Sequence, residues 1–131
     1  MKVVLDTNVL LAALGTRGLC EAVMAACLSD HDLFTAEPLI DELAEHLAAK
    51  FRFPPARIDE VICFMRGHIA VVEPVQLPAD ACRDPDDVVV LGTAAAASAD
   101  CIVTGDQDLL VLGQYRGIRI LSPRGFYDLL R

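Results

Sequence analysis

The sequence contains no tryptophan, two tyrosines and only five phenylalanines among 131 residues. So few large rings argue against a row of base-stacking platforms, and Phe34, Phe51, Phe53, Phe64, Phe126, Tyr115 and Tyr127 are read as core or flanking residues. No Cys-x-x-Cys pair occurs. The five cysteines (Cys20, Cys27, Cys63, Cys82, Cys101) are odd in number and widely spaced, which excludes a disulfide framework or a zinc site and leaves core thiols. His31, His46 and His68 are scattered without metal-ligand spacing. No serine, cysteine or histidine arrangement suggests a covalent nucleophile.

Long hydrophobic runs are also missing. Although 54% of the residues are apolar, none of the apolar stretches approaches the roughly eighteen residues of a membrane span, so this content is expected to form a soluble core. The N-terminus meets a charge at Asp6 and lacks the apolar stretch of a secretory signal, so a cytosolic (cytoplasmic) location with no membrane partner is expected. Positive charge is scarce as well: eleven bases face nineteen acids, a net charge of −8. That sign disfavours nucleic-acid binding through a general basic surface. It does not exclude a local patch drawn from Arg17, Lys50, Arg52, Arg57, Arg66, Arg116, Arg119 and Arg124, particularly if several acids are gathered at one cation site.

What is present reads as alternating strands and helices in one domain, residues 1–131. Strands are expected at Lys2 to Leu5, Asp32 to Thr35, Ile69 to Val72, Cys101 to Val103 and Ile118 to Ile120. Helices are expected from Val9 to Leu14, Leu19 to Leu28, Glu37 to about Lys50, Ala56 to Arg66, Val88 to Ala99, Leu109 to Leu112 and Pro123 to Leu130. The fourth helix follows a break at Pro54-Pro55, and the fifth carries no charge between Val88 and Ala99, so most of its sides should be buried. Alternation of this kind points to an α/β fold, a parallel sheet with helices on both faces.

In such sheets ligands bind beyond the carboxyl ends of the strands, where connections leave in opposite directions. Asp6 and Asp106 both follow strands there, and each could equally be the N-cap of the next helix. Asp84-Pro85-Asp86-Asp87 fits a helix start, with Asp84 as N-cap, Pro85 at the first helical position and two acids near the positive helix end. Three acids in four residues exceed what one cap requires. On the helix from Glu37, Asp41 and Glu42 flank the apolar stripe symmetrically, so periodicity does not choose between them.

Four stretches together resemble the successive motifs of PIN domains: Val4-Leu5-Asp6-Thr7-Asn8-Val9-Leu10-Leu11; Asp41-Glu42-Leu43; Arg83-Asp84-Pro85-Asp86-Asp87 leading into Leu91-Gly92-Thr93-Ala94; and Ala99-Asp100-Cys101-Ile102-Val103-Thr104-Gly105-Asp106-Gln107-Asp108-Leu109-Leu110. The nearest group is the toxin components of bacterial and archaeal toxin–antitoxin pairs, the VapC-like ribonucleases. The resemblance implies a three-layer α/β/α sandwich with a central parallel sheet. It makes Asp6, Glu42, Asp87 and Asp106 the catalytic, metal-binding acids and Asp108 a further acid, with Thr7, Asn8 and Thr104 in support. It thereby prefers Glu42 to Asp41.

An oxygen-only ligand set suits Mg2+ or Mn2+. The implied activity is hydrolysis of phosphodiesters in single-stranded or loop RNA, with a cognate antitoxin and a homodimer as implied partners. A non-catalytic PIN-like interaction domain is the alternative. A phosphoacceptor module would want a lysine after a late strand, and none follows Lys50.

Overall fold

The computed structural model describes residues 1–130. The chain runs β1 (Lys2–Leu5), α1 (Thr7–Gly15), α2 (Leu19–Asp30), β2 (Asp32–Thr35), α3 (Glu37–Ala49), α4 (Pro55–His68), β3 (Ala70–Val71), α5 (Pro85–Ala97), β4 (Cys101–Val103), α6 (Gln107–Leu110), β5 (Gln114–Tyr115), β6 (Ile118–Leu121) and α7 (Pro123–Leu129). One sheet has the order β3-β2-β1-β4-β6-β5. All its pairings are parallel except that of β5 with β6.

Side chains on a strand alternate between faces, and the two cores divide accordingly. Val3, Leu5, Cys101 and Val103 face a core built with α1, α2, α3, Met65 of α4 and Phe126 of α7. Val4, Ile102, Ile118 and Ile120 face the opposite core, which includes Leu91, Ala94 and Ala97 of α5 and Leu109 of α6. Helices on both faces of a mostly parallel sheet make a three-layer α/β/α sandwich. Among the described residues no single helix is long and apolar enough to cross a membrane. All five cysteines are free thiols; three are buried, Cys20 is half-buried and Cys63 is exposed.

Several element boundaries differ from expectation for reasons of local chemistry. Pro55 is the first residue of α4, one before the expected start, because a proline at that position gives up an N–H that would have no helical partner; α5 begins at Pro85 after the Asp84 cap, as its sequence implied. The sixth helix starts at Gln107, since the Asp106 side chain accepts from the Asp108 N–H and caps it there. The short antiparallel strand β5 had no clear signal: it is two residues long and is joined to β6 through Arg116 and Gly117, both with positive φ.

The connection from residue 72 to 84 crosses α5 closely. Val75 N–H donates to the Gly92 carbonyl at 3.0 Å, and a β-carbon at Gly92 would stand 2.4 Å from the Val75 carbonyl oxygen. The close approach anchors this segment on α5, whose first turn carries Asp87. Gly92→Ala should therefore destabilise the protein by about 1–3 kcal/mol, because the atom in the way is backbone and cannot rotate aside. Gly67→Ala meets nothing within 4 Å on α4 and should be neutral or stabilising by up to about 1 kcal/mol. Urea titration of both variants measures the contrast, and equal midpoints would refute the close approach.

Candidate metal centre

The chain leaves β1 for β2 on one side and β4 for β6 on the other, so β1 and β4 flank the point where the topology reverses. Asp6 follows β1 and Asp106 comes three residues after β4, and the register of Leu5 against Val103 brings the two segments side by side. The Asp6 N–H donates to the Val103 carbonyl at 2.9 Å, extending the ladder up to the acid itself.

Asp6 is only 6% exposed. Its Oδ1 accepts from the Thr7 N–H at 2.7 Å, which makes it the N-cap of α1, and its Oδ2 accepts from the Thr104 hydroxyl at 2.7 Å. The Thr104 oxygen in turn accepts from the Asp106 N–H at 3.0 Å. Asp106 Oδ1 caps α6 by accepting from the Asp108 N–H at 2.9 Å. Capping and convergence are thus compatible for both aspartates, because one carboxylate has more acceptor sites than a cap uses. Asn8 adds a weaker tie, its side-chain oxygen accepting from the Gly105 N–H at 3.4 Å.

Asp87 reaches the same place from the other face of the sheet. Asp84 caps α5 through the Asp86 N–H at 3.0 Å, which sets the first turn in which Asp87 lies. Asp87 is also 6% exposed, and its Oδ2 is buried without any hydrogen-bond donor. Burial first, then the neighbouring charges of Asp106, Asp6 and Asp84, together raise its pKa to about 7. Burial likewise raises Asp6, partly offset by the Thr104 and Thr7 hydrogen bonds and reinforced by Asp106.

Glu42 of α3 is half-buried whereas Asp41 is exposed, so packing distinguishes two residues that helical periodicity leaves equivalent. The Glu42 pKa is raised, first by burial and then by Asp6, with a smaller contribution from Asp86. His46, 3.8 Å away, and the Thr7 hydroxyl pull it the other way. Thr7 Oγ1 itself is buried and makes no hydrogen bond of good geometry.

Asp6, Asp87 and Asp106 thus act on one another's charge beyond the carboxyl ends of β1 and β4, and Glu42 joins them through Asp6. The compact triad among the described residues is a different one: Asp84, Asp87 and Asp108 each offer a carboxylate oxygen within 4.8 Å of the others. Asp108 belongs to the expected set. Asp84 was expected only as a cap, and its place in this triad was hidden because the 84–87 and 106–108 segments meet only in three dimensions. The charge excess of three acids in four residues was the available signal.

The PIN domain family model matches residues 2–108. Among solved structures, a chain of VapBC2 from Rickettsia felis, bound to a DNA fragment from their promoter, superposes with a TM-score of 0.64 at 10% identity, covering 93% of this chain and 98% of that one. A chain of FitAcB from Neisseria gonorrhoeae gives 0.57 at 16% identity with the same coverages. A comparison with curated proteins finds no significant match. These two likenesses, at low identity, are likenesses of fold. The sequence match runs from β1 into α6 and spans every acid described above, and by it this chain belongs to the PIN domain family.

Proposed function

We propose that this chain is a Mg2+- or Mn2+-dependent endoribonuclease that hydrolyses single-stranded or loop RNA, and that it is the toxin of a toxin–antitoxin pair. PIN domains are typically nucleases, and both fold relatives come from assemblies of the VapBC and FitAcB type, which supports an antitoxin as partner. A homodimer and a cytosolic location complete the reading. The observation that carries it is a buried Asp87 oxygen that no donor satisfies, with Asp106 and Asp6 acting on the same carboxylate and Glu42 joined to the group through Asp6.

A divalent cation fits these residues. The donors are all oxygens, as hard cations prefer. A buried acceptor without a donor is expensive to leave unpaired, and carboxylates that raise one another's pKa are waiting for positive charge. In the proposed assignment Asp6, Glu42, Asp87 and Asp106 hold the cation, with Asp84 and Asp108 adding oxygens beside Asp87. When bound, the cation supplies a lowered pKa for a coordinated water and stabilisation of charge on the phosphodiester oxygens.

The chain's own residues supply rigidity. Thr104 locks Asp6 to the Asp106 segment, the Asp84 cap fixes the direction of Asp87, and Glu42 approaches from a separate helix. Preorganised oxygens of this kind lose little entropy on binding a cation and a phosphate.

Asp6→Asn tests the assignment. Asparagine keeps the cap's shape while removing one charge and one ligand oxygen. Cleavage of a single-stranded RNA in magnesium should be abolished, and the chelated variant should melt no lower than wild type. Wild type should gain about 2.7 kcal/mol from magnesium at a hundredfold excess over its Kd, the variant much less. Cleavage that persists in chelator, or in Asp6→Asn, would defeat the proposal; magnesium binding without any RNA cleavage would favour the non-catalytic interaction domain.

The raised pKa of Asp87 gives a pH dependence. Its unfolded value is near the ordinary 3.8 and its folded value about 7, so the folded state binds the extra proton between those limits. The resulting stability is fully present below about 3.8 and lost as pH rises through about 7. In chelator, wild type should therefore lose stability relative to Asp87→Asn as pH rises from 4 to 8, read as a falling difference in Tm. A difference independent of pH would mean that Asp87 carries no excess proton.

A further inference from the structure

A cavity of about 400 Å³ opens beside the acidic cluster, between the segment that leads into α5 and the helix α6. Asp80, Cys82 and Arg83 line one wall, and Gln107, Asp108 and Val111 the other. Its size falls in the roughly 300–1,000 Å³ range of small-molecule sites. Both walls continue directly into the proposed cation site: Arg83 precedes Asp84, Gln107 lies between Asp106 and Asp108, and Asp108 belongs to both. The walls are tied together where the Cys82 thiol donates to the Asp108 carbonyl at 3.4 Å.

The lining has the chemistry of a base site. Val111 is 81% exposed, a large apolar side chain left open at the cavity. Four other arginines are engaged elsewhere: Arg66 by Glu37, Arg57 over Phe53, Arg116 over Tyr115 and Arg124 near Asp128. Arg83 makes no ion pair among the described residues and is exposed. A guanidinium plane can stack an unstacked RNA base, and this is useful to a chain whose net charge of −8 offers RNA little general attraction. The Gln107 amide can donate to and accept from a base edge at once, and the Asp80 carboxylate accepts from an amino group.

We propose that this cavity receives the splayed base of the nucleotide next to the scissile phosphodiester, with Arg83 stacking on it and Gln107 and Asp80 reading its edge. Two acceptors on the reading side favour a base with an exocyclic amino group over uracil. Gln107 and Asp80 are then specificity residues outside the catalytic acids. The inference rests on the ribonuclease reading, since only that reading places a nucleotide at Asp108.

Two measurements keep the two readings apart. In the first, amide chemical shifts of the metal-free protein are followed on adding AMP, CMP or UMP. AMP and CMP should shift residues 80–83 and 107–112 at concentrations where UMP does not, and Arg83→Ala should weaken all three. In the second, cleavage of a single-stranded RNA pool of random sequence is mapped. Gln107→Ala should reduce the preference for amino-bearing bases by about fivefold or more, read as the ratio of cleavage beside amino-bearing bases to cleavage beside uracil, and Arg116→Ala, outside the cavity, should change neither that ratio nor total cleavage. Nucleotide shifts confined to other surfaces, or cleavage by wild type indifferent to the adjoining base, would overturn the base site. Absence of all RNA cleavage together with AMP and CMP binding at this cavity would overturn the ribonuclease reading and, with it, the placement beside a scissile bond, leaving only a nucleotide-binding cavity.

Discussion

Asp6 and Asp87 are carboxylates held almost out of water at one edge of a sheet, within electrostatic reach of Asp106 and of each other. Burial and like charge both oppose this arrangement, so the surrounding structure has to hold it in place. Thr104 is central to that support. Its buried hydroxyl donates to Asp6 and accepts from the Asp106 backbone, joining chain segments 98 residues apart in sequence. The hydrogen bond lowers the Asp6 pKa against the effect of burial, while Asp87 has no comparable donor and its pKa rises furthest.

The fold supplies the rest of that support through helix caps. Asp6, Asp84 and Asp106 each cap the helix that follows, so the backbone hydrogen bonds that start α1, α5 and α6 also set the direction of the acids. A cap consumes one carboxylate oxygen and leaves the other available. At these three positions a structural cap does not compete with the proposed cation-binding role. Their cost is a group of carboxylates that stays electrostatically incomplete, as the proposed cation site requires.

The acidic balance of the chain has a related explanation. Seven of its nineteen acids stand on the 84–87 and 106–108 segments and at Asp6 and Glu42, where in the proposed function cations rather than a basic surface meet the phosphate. Several arginines are committed to local partners on the periphery, and Arg83 is the guanidinium left beside the cluster. Affinity for a polyanion would then be concentrated near the cation and weak elsewhere.

Local sequence determined most of the elements, because helix caps, prolines at first helical positions and apolar periodicity act over a few residues. It also placed Asp6 and Asp106 after strands and Asp87 in a first turn, and the order of the motifs pointed to the family. Local periodicity left three things to tertiary structure, the first of which the order of the motifs had also indicated. Glu42 rather than Asp41 lies near Asp6 because packing against the sheet half-buries one flank of α3, a difference that a symmetric apolar stripe does not encode. Asp84 joins Asp87 and Asp108 because the segment after β3 folds back onto α5 and meets α6. The cavity beside them exists for the same reason. Caps and turns are short-range hydrogen-bond preferences written in neighbouring residues, whereas burial, charge coupling and enclosure depend on which distant segments the pairing of β1 with β4 brings together.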